Sequence, residues 1–264
     1  VRLNLALHQA LLNHCNKYFP HLKTFQSTGI IFRRIKYSET SLIVDIFTRE
    51  KGIRSFIFSG VRKAKANVSA AMIDHMNIVN IIAYDKDNEK LARVKEIHLE
   101  HRYRHITTDV VKSSLGIFLL EMTRDCIKEK EPNEELFDFI TDWYKYLDIC
   151  EHQLSCFHLM YLLELSRFLG FEPMNDFDEE LRTQFDLLDG NFVNVSNTSK
   201  YLLPVERSIF VRQLLSADMK QLEHIRIPKD IRNEILKDII KFYRLHVDNF
   251  REPKSLAVIQ AILR

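Results

Sequence analysis

The sequence predicts an α+β protein, a small five-stranded β-barrel followed by an all-α domain. Five short runs rich in β-branched and aromatic residues crowd into the first hundred or so positions, separated by polar turns. After Thr107 the spacing of apolar residues changes from two to near 3.6, the signature of a move from strands to helices. Glycine and proline number only six each in 264 residues, which leaves little chain for long linkers and favours two domains. The boundaries read from these patterns are a peripheral extension over 1–22, a barrel over 23–105 and a helical domain over 106–264. The helical domain carries a small hairpin or loop insert near 171–203.

The strands follow in order. Gly29 to Ile35 is apolar until Arg33 and Arg34 interrupt it, and Leu42 to Thr48 comes after the polar turn at 37–41. Ile53 to Ser59 follows Arg49-Glu50-Lys51-Gly52, where glycine can take the positive φ of a tight hairpin. Met76 to Tyr84 and Leu91 to Tyr103 complete the set. Five strands without a long helix between them suit the OB-fold, the commonest small barrel that binds single strands, although an SH3-like barrel gives much the same pattern.

The helices are equally ordered. Thr108 or Asp109 caps a helix running to about Lys130, and Asn133 caps a second that holds Leu136, Phe137, Ile140, Trp143, Tyr144 and Leu147 on one face. His152 to Leu169 is apolar on nearly all sides, which marks a central helix, and Gly170 stops it. Asp189-Gly190 signals a hairpin between Phe185 and Val193. Shorter helices are expected over 204–215 and 219–224, and a last long one from Pro228 to about Val247.

Charge is unevenly distributed. Residues 28–65 hold nine Lys or Arg against three acids, a net +6, whereas the whole chain is only +2. A pI near 8.3 thus conceals a basic module joined to a slightly acidic remainder. Such a concentration is the footprint of a surface for polyanions, and its bland alternative is a solvated outer face of a sheet. Arg54, Phe56 and Phe58 share one face of the third strand, so the two rings either stack on bases or fill the core. Arg62-Lys63-Ala64-Lys65 supplies a basic stretch suited to following a phosphate backbone.

Several function classes find no support. No glycine-rich phosphate loop, G-x-S-x-G, H-E-x-x-H or H-x-E…C-x-x-C pattern occurs, so the chain does not read as an enzyme. The four cysteines at 15, 126, 150 and 156 lack the C-x-x-C spacing of zinc sites and read as buried thiols in a reducing cytoplasm. His101 and His105, four apart, fit an extended or wet edge better than a metal pair. No apolar run approaches the roughly eighteen residues of a membrane span. No cofactor and no metal are expected.

Three runs carry a family resemblance. Tyr37-Ser38-Glu39-Thr40-Ser41-Leu42, Asp45-Ile46-Phe47-Thr48-x-Glu50-x-Gly52 and Gly60-Val61-Arg62-Lys63 resemble the N-terminal signature of the RecO family of bacterial recombination mediators. Leu165-x-x-x-Leu169-Gly170-Phe171-x-Pro173 is similar to the end of that family's central helix, and Glu252-x-Lys254-Ser255 to its C-terminal motif. The resemblance implies an N-terminal OB-fold, binding of single- and double-stranded DNA, and annealing of complementary strands. It also implies partnership with RecR, helping RecA replace single-stranded DNA-binding protein on gapped DNA. Many members carry a four-cysteine zinc module in the segment matching Phe171–Val193. This chain has no cysteine there and resembles the zinc-free branch. The DNA-binding residues expected on the barrel are Arg33, Arg34, Lys36, Arg49, Lys51, Arg54, Arg62, Lys63 and Lys65.

Overall fold

The computed structural model describes residues 23–61, 68–84, 91–127, 131–151, 154–194 and 196–263. They belong to two compact units, one of residues up to 102 with 130–133 and one of 103–129 with the rest. In the first unit, β1 (Thr24–Lys36), β2 (Leu42–Thr48), β3 (Gly52–Phe58), β4 (Ile78–Tyr84) and β5 (Ala92–Leu99) close into an OB-like barrel in the order β1-β2-β3-β5-β4. Among the described strands only β3 and β5 pair in parallel.

β1 is longer than its apolar run because it serves two neighbours. Residues 29–36 pair with β2 and residues 24–30 with β4. Gly29 stands where both ladders meet, opposite Thr48 and Val79, and a Cβ there would collide with Ile46 Cγ2. Lacking a side chain, it lets β1 bend sharply enough to close the barrel. A register shift between Ile31 and Arg33 follows, a bulge of the kind that increases local twist. Gly52 adopts φ 62° and closes the β2–β3 turn as its sequence predicts.

Alternation sends Ile31, Val44, Ile46, Phe56, Phe58, Val79, Ile81 and Ile97 into one barrel core. β4 begins two residues later than its apolar run. Met76 takes φ 71°, and Asn77 Nδ2 donates to the carbonyls of Ala71 and Met72 at 2.7 and 3.2 Å. That amide ties the run to a short 3-10 turn at Ala70–Ile73, which the sequence pattern did not reveal.

The second unit contains α1 (Val110–Cys126), α2 (Glu134–Ile149), α3 (Phe157–Phe168), α4 (Val205–Ser216), α5 (Lys229–His246) and α6 (Leu256–Ile262). Asp109 Oδ1 accepts from the amides of Val111 and Lys112, fixing the start of α1. α3 is the central helix: Phe157, Leu159, Tyr161, Leu162 and Leu165 are wholly buried. It starts at Phe157 rather than His152, since the Phe157 amide closes a separate turn on the Leu154 carbonyl. Residues 219–224 form only a short 3-10 turn at Gln221–His224.

Buried polar groups there are used as fasteners. Tyr243 and Tyr144 hydroxyls donate to the carbonyls of Leu162 (2.6 Å) and Gly116 (2.9 Å). Asp148 is fully buried, and its carboxylate accepts from the amides of Arg104, His105 and Ile106 at 2.8–3.0 Å. Three amides aimed at one carboxylate fix the entry to the helical unit.

The expected hairpin forms from β6 (Gln184–Asp186) and β7 (Asn191–Val193). Rings hold it: Phe185 meets Phe192 and Phe242, while Phe171 packs on Phe242, Tyr243 and His246 with centroids 5.1–5.3 Å apart. The C-terminal motif is equally specific. Ser255, which opens α6, donates through its amide (3.0 Å) and hydroxyl (2.6 Å) to Glu121 Oε2 on α1, and Arg232 Nη2 donates to the Leu263 carbonyl at 2.8 Å. The short α6, absent from the sequence reading, is therefore clamped at both ends.

Candidate nucleic-acid interface

Register places the basic residues of the barrel. Directly opposed residues in neighbouring strands share a face. Ile35, Ile43 and Ile57 line up across β1, β2 and β3, and Ile57 is level with Arg93 on β5. The adjacent outward row is Arg33, Asp45 and Ser55, where the Ser55 hydroxyl donates to Asp45 Oδ1 at 2.6 Å. Inward rows alternate with these: Lys36–Leu42–Phe58, Arg34–Val44–Phe56 and Ile31–Ile46–Arg54.

The expected cations divide into three groups. Arg33, Lys36 and Arg54 are exposed and have no acidic partner among the described residues. Arg34 is engaged, its guanidinium 2.7 Å from Asp74. Arg49 and Lys51 flank the β2–β3 turn, where Lys51 Nζ lies 4.6 Å from the Phe25 ring centroid and Ser27 donates to Glu50. That turn is six residue steps along β2 from the level of Lys36, about 20 Å at roughly 3.3 Å per residue. The described positions among the expected cations are spread out: Arg33 and Lys36 stand near one end of β1, Arg49 and Lys51 near the other end of the sheet. Arg62, Lys63 and Lys65 lie outside the described residues.

The rings of the third strand belong to the core. Phe56 and Phe58 are buried within the barrel, so neither offers a face to a base. Arg54 shares their side of the strand but stands exposed. Arg93 is not among the expected residues: alternation groups it with Lys95 and the buried Ile97, and a register shift in the β4–β5 ladder is what turns it outward. It is exposed, without an acidic partner among the described residues, and level with the isoleucine row.

The helical unit places its charges differently. Arg124, Arg182, Arg207, Arg212 and Arg244 pair with Asp125, Asp176, Asp238, Glu179 and Glu252. Burial raises the Asp238 carboxyl to about 6 despite Arg207 beside it. A cleft of about 640 Å³ lies between Met160, Glu164, Arg167, Glu172, Met174 and Asp176, with more acid than base in its wall. Within α3, His158 is buried, and desolvation with nearby Arg232 lowers its pKa to about 3, so it is neutral at physiological pH. Among the described residues no set of three His, Cys, Asp or Glu comes together to hold a metal, and no helix is long and apolar enough to cross a membrane.

Family models match both parts of the chain. Residues 22–103 match the model of the recombination protein O N-terminal domain, and residues 107–257 match that of its C-terminal domain. The chain belongs to the RecO family. The DNA repair protein RecO of Christiangramia forsetii is 32% identical over 235 residues, covering 89% of this chain and 97% of that one. RecO of Phocaeicola vulgatus is 31% identical over 237 residues, 90% and 98% of the two chains. RecO of Flavobacterium johnsoniae reaches 33% over 239 residues, again 90% and 98%. RecO membership is consistent with the barrel followed by helices and makes this a RecO-like DNA repair protein.

Proposed function

We propose that this RecO-family chain is a non-catalytic mediator acting on DNA in the cytoplasm. The barrel binds single- and double-stranded DNA through backbone phosphates, with Arg33, Lys36 and Arg54 as principal contacts. Arg34, Arg49, Lys51, Arg62, Lys63 and Lys65 complete the proposed set. The observation that supports this reading is that Arg33, Lys36 and Arg54 stand exposed and form no ion pair among the described residues. A cation already paired gains little from a phosphate, whereas an unpaired one exchanges water and counterions for it. Annealing follows from the same chemistry: neutralised strands approach closely, and base pairing selects the partners. With RecR, the protein would help RecA replace single-stranded DNA-binding protein.

A strand-annealing assay on DNA coated with single-stranded DNA-binding protein tests the mediator role. Faster annealing than the uncatalysed reaction, enhanced by RecR, is the expected result. Binding to bare DNA without any acceleration would reduce the chain to a simple OB-fold binding module. Metal-dependent cleavage of the strand would instead make it an enzyme.

A further inference from the structure

Tyr37 and Ile35 are the only large apolar side chains of the barrel unit that stand exposed among the described residues, at 61% and 37%. They lie at the same end of β1, on either side of Lys36. The position of Tyr37 is not loose. Its amide donates to the Ser41 carbonyl at 3.1 Å, the Ser38 amide shares that carbonyl at 3.2 Å, and the Ser41 amide returns to Ser38 Oγ at 3.2 Å. The β1–β2 turn thus holds out a ring that contacts no other ring, cation or hydrogen-bonding group among the described residues. Beside it runs the aliphatic row Ile35–Ile43–Ile57, closed by Arg93.

Charge narrows the choice of occupant. Arg33, Lys36 and Arg93 are exposed and form no ion pair among the described residues, although Asp45 stands across from Arg33 in the ladder. Of the two nearby acids, Asp45 accepts from Ser55 and Glu39 lies exposed in the turn. An aromatic face and an aliphatic shelf flanked by cations suit a ligand with flat apolar faces strung on an anionic backbone. OB-folds use this sheet face and the loop between the first two strands for such strands. A duplex keeps its bases stacked inside and has use only for the cations.

We propose that Tyr37 is a base-stacking residue for unpaired nucleotides, with Ile35, Ile43 and Ile57 as an apolar shelf for the neighbouring base. The assignment rests on the DNA-binding reading above and adds to it a preference for single strands. It also replaces Phe56 and Phe58 as the source of stacking.

The test uses the full chain and three fluorescent probes of equal length: oligothymidylate, an abasic strand and a duplex. Tyr37→Ala is expected to bind oligothymidylate about tenfold more weakly, equivalent to ~1.4 kcal/mol. It should bind the abasic strand and the duplex as the parent does. Tyr37→Phe should retain affinity for all three, and neither variant should alter the salt dependence. An unchanged affinity of Tyr37→Ala for oligothymidylate, or an equal loss on the abasic strand, overturns the stacking role. If the parent binds none of the probes, the DNA-binding reading falls with it. If the parent binds with a steep salt dependence but Tyr37→Ala does not discriminate, the stacking role alone falls.

Discussion

The barrel and the helical unit both carry many charges, yet they spend them differently. Arg33, Lys36, Arg54 and Arg93 stand exposed on the barrel without an ion pair among the described residues, while five arginines of the helical unit are each paired with an acid. Asp148 and Glu121 go further and bind backbone or side-chain donors of their own unit. Net charge does not separate these uses; partner geometry does. A paired charge shapes the protein, and an unpaired one is available to something else.

The sharpest challenge to that division is Asp148. Asp148→Ala leaves three amides without their acceptor, and an orphaned buried donor costs about 1–3 kcal/mol. The expected outcome in urea unfolding is a loss of about 3–5 kcal/mol, with DNA affinity of the folded protein unchanged. Next in size is Arg33→Glu/Lys36→Glu. Anisotropy titrations should show affinity for single strands falling roughly a hundredfold, about 2.7 kcal/mol, and the log–log salt slope shrinking by about 1.4 for two lost contacts. Arg212→Gln, which removes a paired cation of the helical unit, should change neither by more than about twofold.

His158 gives a smaller, pH-dependent effect. Its folded pKa, about 3, lies below the ordinary value of 6.5, so the unfolded chain binds a proton that the folded chain refuses. Its contribution is complete above pH 6.5 and is lost progressively as pH falls toward 3, at up to about 1.4 kcal/mol per pH unit. His158→Gln should flatten that part of a stability–pH curve measured by denaturant unfolding. Smallest is Ser255→Ala, about 1 kcal/mol. Burial opposes ionisation of Glu121, but the two bonds from Ser255, with the Lys254 amide and Arg124, together hold its carboxyl below the ordinary value. The difference between parent and Ser255→Ala should therefore be largest above the ordinary carboxylate range and shrink as pH falls through the lowered folded value.

Much of this was legible from residue order. Alternation found five strands, the 3.6 spacing found the long helices, and Asp189-Gly190 found the hairpin. Alternation also put Arg54, Phe56 and Phe58 on one face, but only barrel closure decides that this face is the interior. Tyr37 was hidden because it opens a run that reads as a polar turn, and exposure of a single ring has no periodic signature. The pairing of Arg34 with Asp74 spans 40 positions, and no local pattern announces it. The seven residues of α6 are too few for periodicity, and depend on Glu121 and Arg232 for their definition.

The hairpin between α3 and α4 has a consequence for how this protein meets stress. Phenyl rings and one imidazole fasten it, in a segment without a thiol. Peroxide therefore has no sulfur to attack between Phe171 and Val193 except the thioether of Met174. Cooling loosens it instead, because the grip of ring on ring relaxes as water's aversion to apolar surface fades.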